Sequence, residues 1–112
     1  MALDNLVQVS DADFEDIVLK SSLPVVVDFY ADWCPPCKMM APGFAELSSD
    51  YAGKMLFAKY NVDDGVRGKE YGIRSIPTLV LFDSGKDVQR HTGGLVKPQL
   101  KQLIEGWLRR EP

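Results

Sequence analysis

Val25-Val26-Val27-Asp28-Phe29-Tyr30 runs directly into Ala31-Asp32-Trp33-Cys34-Pro35-Pro36-Cys37. The first six residues, opened by Pro24, are β-branched and aromatic, and they are apolar on both faces. Such a run predicts a central strand of a sheet covered on both sides. After Cys37 the pattern changes period: Met40, Phe44 and Leu47 recur at helical spacing. The stretch is therefore a strand, a short turn and a helix, with two cysteines at the junction. Pro42 lies inside the helical pattern and cannot donate to the carbonyl of Lys38, so a kink is expected there.

Outward from this stretch, the remaining elements follow from period and punctuation. Leu6 to Val9 predicts a short first strand. Ser10 starts a helix, with Asp13 three residues later in a capping-box arrangement and Phe14, Ile17 and Val18 on one apolar face. Met55 to Val62 predicts another strand, and Asp63 or Asp64 can cap a short helix that runs through Glu70 and ends at Gly72 in a left-handed conformation. Thr78 to Phe82 and Val88 to His91 read as strands joined around Asp83-Ser84-Gly85-Lys86. A last helix has Pro98 in its first turn, with Leu100, Leu103, Ile104, Trp107 and Leu108 on one stripe. Val96 and Lys97 are poor caps for its start. The order is β-α-β-α-β-α-β-β-α. It predicts an α/β fold: a central mixed sheet with helices on both faces, closed by an antiparallel hairpin.

The chain has 112 residues, enough for one domain spanning 1–112 and too few for two. Hydrophobic residues make up 46% and charged residues 26%, the balance of a globular protein rather than a disordered one. The net charge is −3 and no basic block is present, so nucleic acid is not an expected partner. No apolar stretch approaches bilayer length, so no membrane partner is expected either. The amino-terminal MALDNLVQVS has neither a cationic start nor a long apolar run, so a cytoplasmic location is expected. A monomer is expected, since no extra apolar stripe is evident.

Two cysteines three positions apart close a tiny loop, which removes little entropy from the unfolded chain. The pair is a poor structural staple. Redox chemistry, inert buried thiols and half of a metal site remain as readings. Zinc needs four ligands, and the only other soft ligand, His91, is far along the chain, so no metal is expected. A strand before and a helix after put Cys34 at a helix amino terminus, where free N–H groups and the helix dipole stabilise a thiolate. Cys34 is then the attacking nucleophile. Cys37, one turn inside and expected to be less exposed, resolves the mixed disulfide.

Asp28 shares its strand face with Val26 and Tyr30. It is either a satisfied polar residue at a sheet edge or a general base for the resolving thiol, acting through water. Its position before the cysteine pair favours the base, because perturbed groups gather at functional sites. Lys59 reads first as a solvated lysine, and pairing with Asp28 across neighbouring strands is the alternative. The Ile76–Pro77 bond is expected to be trans on general frequencies. Gly93-Gly94 reads as a turn, or as a flat surface where a substrate backbone approaches.

Taken together these segments resemble the thioredoxin family. Val27 to Cys34, followed by Pro36-Cys37-Lys38, is similar to its active-site segment. Tyr71-Gly72-Ile73-Arg74 with Ile76-Pro77-Thr78 resembles its second hallmark. Ala58-Lys59, Asn61-Val62-Asp63, Pro42 and Gly93 match further positions, in order and without a large insertion. The resemblance implies the thioredoxin fold, with Cys34 as nucleophile and Cys37 as resolver. It implies that Asp28 is a buried carboxylate with Lys59 as its partner, and that Pro77 follows a cis bond beside the cysteines. The Ile76 backbone would then take a substrate strand by β-type hydrogen bonding. Trp33, Ile76 and Gly93 would form an apolar rim, with Pro35, Pro36 and Pro77 beside it.

The resemblance further implies a protein-disulfide reductase that needs no bound cofactor. NADPH-dependent thioredoxin reductase would recharge it, and disulfide-containing proteins would be its targets. There are three departures. Pro35 stands where the family usually has glycine, a form that resembles the motif of tryparedoxin and nucleoredoxin. Ser75 stands where glycine often precedes Ile-Pro-Thr, and Val96 replaces a common cap residue. Pro35 keeps an alternative open: a dithiol relay or isomerase-like protein with a more oxidising pair and a different electron donor.

Overall fold

The structure is a computed structural model, and it describes residues 5–110. Its elements are β1 (Leu6–Val9), β2 (Val25–Tyr30), α1 (Pro35–Ser48), β3 (Leu56–Asn61), α2 (Arg67–Glu70), β4 (Thr78–Asp83), β5 (Lys86–Thr92) and α3 (Lys97–Leu108). The five strands form one sheet in the order β1-β3-β2-β4-β5. β3 pairs in parallel with both β1 and β2, while β4 runs antiparallel to β2 and to β5. The sheet is mixed, and β2 is its central strand. Its doubly apolar sequence follows from that place: Val25 to Phe29 are all buried.

Alternation sends β2 side chains to two separate cores. On one face Val26, Phe57, Leu79 and Leu81 pack under α1 (Met40, Phe44, Leu47) and α3 (Leu100, Ile104, Trp107). On the other, Val25, Val27 and Phe29 pack with Phe14, Val18 and Tyr60, and Tyr71 and Ile73 lie against them. Helices thus cover both faces. α1 runs unbroken through Pro42.

The first helical segment differs from the α-helix expected from Ser10. It is a π-helical turn, Glu15–Leu19, because the Lys20 N–H reaches back five residues to the Glu15 carbonyl. Only half of the capping box forms: the Ser10 N–H donates to Asp13 Oδ1 at 2.7 Å. Phe14 and Val18 still point inward together.

Asp63 and Asp64 do not cap α2. They sit in a 3₁₀ turn (Val62–Asp64), where the Asn61 side chain accepts the Asp63 N–H at 2.9 Å. α2 is a single turn, started by Val66, whose N–H donates to Asp11 Oδ2 at 3.0 Å. The buried Tyr60 hydroxyl also donates to Asp11 and accepts from the Arg67 N–H. Gly65 lies against the Asp11 carboxylate with no room for a Cβ. One carboxylate in the β1–β2 connection therefore fixes the β3–α2 loop.

Gly72 does end α2 in the left-handed region, at φ +69°. β5 is longer than its apolar residues suggest, because its outer side is a solvated sheet edge that accepts Lys86 and Asp87. Ser84 and Gly85 both have positive φ, the signature of a tight hairpin turn.

Candidate active site

Cys34 is the N-cap of α1, and Pro35 and Pro36 fill the first two helical positions. Proline lacks the N–H that would go unpaired there, which is why the helix accepts both. The first free amide is that of Cys37. It donates to Cys34 Sγ at 3.3 Å, and the Lys38 N–H donates to the Cys34 carbonyl at 3.1 Å. The two cysteines are disulfide-bonded, with Cα atoms 5.3 Å apart.

Cys37 is not the less exposed of the pair: both residues are 3% exposed. They form a small apolar cluster with Ala31, against which Tyr30, Val62 and Ile76 pack. Ile76 covers Cys34 in this way, so depth does not separate the two sulfurs. The N-cap position does, since of the two sulfurs only Cys34 Sγ receives a backbone N–H among the described residues.

The Ile76–Pro77 bond is cis, against the general expectation and as the resemblance implied. The Ile76 carbonyl oxygen lies 3.7 Å from Cys34 Sγ. Among the described residues, neither the N–H nor the carbonyl of Ile76 makes a backbone hydrogen bond. Gly93, at φ +110°, donates its N–H to the Pro77 carbonyl at 2.8 Å. A Cβ on Gly94 would stand 3.6 Å from the Pro36 carbonyl oxygen. The loop after β5 thus meets both the segment before β4 and the start of α1: Pro35 and Pro36 lie between the cysteines, Ile76 packs on their cluster, and Gly93 is tied to the neighbouring Pro77.

Trp33 completes the arrangement. It is 67% exposed, yet its indole N–H donates to Asp63 Oδ2 at 2.8 Å. Asp63, one of the family-matching positions, reads from local pattern only as an alternative to Asp64 for a helix cap, and the structure puts it against Trp33 instead. Its signal is its place directly after β3, whose end pairs with the end of β2.

Asp28 is fully buried on a central strand, not at an edge, and neither carboxylate oxygen has a hydrogen-bond partner among the described residues. Burial pushes its pKa up to about 7, and the nearby Lys59 charge pulls the other way. Lys59 is registered directly opposite it on β3. The lysine is only partly exposed, so it is not the solvated residue expected from sequence alone. It does not form an ion pair with Asp28. Its Nζ stands 4.4 Å over the Tyr30 ring, and the Tyr30 hydroxyl donates to Gln8 Oε1 at 3.2 Å. Neither Tyr30 nor Gln8 stands out as a site residue in the sequence. The alternation that puts Tyr30 on the face of Asp28 is the signal for the first of them.

Among the described residues no group of three or more His, Cys, Asp or Glu side chains gathers as a metal site. No helix among them is long and apolar enough to cross a membrane.

Known proteins are similar to this chain in sequence. The thioredoxin family model matches residues 5–106. The chain is 44% identical to a thioredoxin of Haemophilus influenzae over 103 residues, covering 91% of this chain and 96% of that protein. It is 46% identical to a thioredoxin of Acidithiobacillus ferridurans over 106 residues, 94% and 98% of the two chains. It is 47% identical to a thioredoxin of Synechocystis over 102 residues, 90% and 95%. With its mixed sheet and a Cys34–Cys37 disulfide at the start of α1, the chain belongs to the thioredoxin family, the thiol–disulfide oxidoreductases.

Proposed function

We propose that the chain reduces protein disulfides with Cys34 as nucleophile and Cys37 as resolving thiol. The observation that carries the assignment is the Cys37 N–H held on Cys34 Sγ at the start of α1. A hydrogen bond to the charged form favours it, so negative charge gathers on Cys34. The Cys34 thiolate attacks one sulfur of the target disulfide. A mixed disulfide forms and the other target sulfur leaves as a thiolate. Cys37 then loses its proton and attacks Cys34 Sγ, releasing the second target thiolate. The target gains two electrons and, with two protons, two thiols; the enzyme is left with the Cys34–Cys37 disulfide.

Asp28 takes the Cys37 proton in this scheme, through water. A carboxyl that titrates near neutrality is suited to both accepting and returning a proton. The Ile76 N–H and carbonyl, which make no backbone hydrogen bond among the described residues, receive the target as an added strand, and Trp33, Ile76 and Gly93 form the rim on which it rests. Pro77 supports that rim through the Gly93 bond, and Pro35 and Pro36 shape its helical side.

NADPH-dependent thioredoxin reductase recharges the pair, in a reducing, cytoplasmic setting. The test is a coupled assay of oxidised protein, a bacterial thioredoxin reductase, NADPH and a disulfide-containing protein. NADPH consumption that depends on Cys34 and on the target supports the reading. A protein that stays oxidised under these conditions contradicts the choice of donor. A reduced protein that leaves the target disulfide intact contradicts the reductase itself.

A further inference from the structure

Gln8, Lys59, Asp28, Leu79 and His91 form one row across the five strands. Tyr30 stands two residues beyond Asp28 on the same face of β2. Its ring reaches back over Lys59 on β3, and its hydroxyl is tied to Gln8 on β1. The ring therefore spans the strand that separates its own from its anchor, with the lysine ammonium beneath it. An ammonium over an aromatic face is attracted by the ring's negative face, more strongly as it is desolvated. This contact competes with the one the register offers Lys59, a carboxylate directly opposite that has no hydrogen-bond partner among the described residues.

We propose that Tyr30, anchored by Gln8, is a positioning residue that holds the Lys59 ammonium off the Asp28 carboxylate and so sets how readily Asp28 gives up its proton. Lys59 is the charged group whose field bears on Asp28. From β4 the neighbour is the apolar Leu79, and the covering helix α1 contributes Met40 to this face. Tyr30 also packs against the cysteine cluster, and the carboxylates of Asp32 and Asp64 bear on the Tyr30 hydroxyl. Without the ring, Lys59 swings onto Asp28, and an ammonium in contact favours the ionised acid. The effect on turnover rests on the proposed base role of Asp28, whereas the effect on its titration does not.

The test follows the Asp28 carboxyl by ¹³C NMR in the oxidised protein, where neither cysteine titrates. In Tyr30→Leu the midpoint is expected to fall by about one pH unit. Tyr30→Phe, which keeps the ring and loses the Gln8 bond, is expected to fall by less. It also supplies the comparison if Tyr30→Leu does not fold. Opening the site to water would lower the midpoint as well, so the deciding arm is Lys59→Met. In that background, Tyr30→Leu is expected to leave the midpoint where Lys59→Met alone puts it. A midpoint that is unchanged or raised in Tyr30→Leu overturns the proposal, as does an equal fall with and without Lys59. A midpoint that falls as expected while the pH profile of disulfide reduction stays fixed upholds the clasp and removes Asp28 from the proton transfer.

Discussion

The backbone N–H of Cys37 points at the sulfur of Cys34 from 3.3 Å, and it is the first amide that α1 has to give. Both cysteines are equally buried, so in the proposed scheme this bond, rather than access, divides their labour. With a disulfide-containing target, Cys37→Ser is expected to accumulate a mixed disulfide through Cys34, visible by mass spectrometry. Cys34→Ser is expected to form essentially none. Equal trapping by both variants would contradict the division.

Asp28 gives folding a pH dependence of a definite sign. Its pKa stands at about 7 in the folded protein, against 3.8 for a free side chain. Between these values the unfolded chain has released a proton that the folded chain keeps. Stability therefore falls as pH rises through this window, by about 4 kcal/mol in all. Asp28→Asn removes the penalty, so it is expected to be more stable than the parent at pH 8 and to lose that advantage by pH 4. Urea denaturation across the range measures it. Parallel pH curves for the two proteins would place the burial penalty elsewhere.

Trp33 offers a large apolar surface that is already oriented, because Asp63 holds its indole N–H. A pre-positioned aromatic loses little freedom when a target docks. Trp33→Ala is expected to raise KM for a protein disulfide about tenfold, the scale of a single interface anchor. Reduction of the same variant by dithiothreitol is expected to stay near the parent rate. Asp63→Ala is expected to shift KM in the same direction by less.

At Gly93, φ of +110° excludes side chains without strain. Gly93→Val is expected to destabilise the fold by about 1–3 kcal/mol. It is also expected to weaken target binding, because the displaced N–H no longer holds the Pro77 carbonyl. Thermal denaturation and KM give the two readouts. A variant that is destabilised but binds targets normally would remove Gly93 from the docking surface.

The sequence was most legible where one residue type has one use. The doubly apolar β2, the cysteines at a helix start and the left-handed Gly72 each follow from local chemistry, and all three stand in the fold. What was hidden depends on contacts between distant segments. Asp63 looks like a helix cap until Asp11 fixes the loop and turns it toward Trp33. Lys59 looks solvated until Tyr30 crosses over it. The cysteines are covered from distant segments, by Val62 and by Ile76, 42 residues beyond Cys34, which no helical spacing reveals. The polar start of β5 belongs to an edge strand, where alternation of apolar residues is weakest.

The reduction potential of the Cys34–Cys37 pair decides whether this protein is a disulfide reductant. Equilibration in dithiol and disulfide buffers, followed by counting free thiols, measures it. A value near that of thioredoxins, roughly −270 mV, is expected, low enough to open disulfides in target proteins. A value above about −200 mV would contradict a reductase and place the protein with isomerase-like and oxidising relatives.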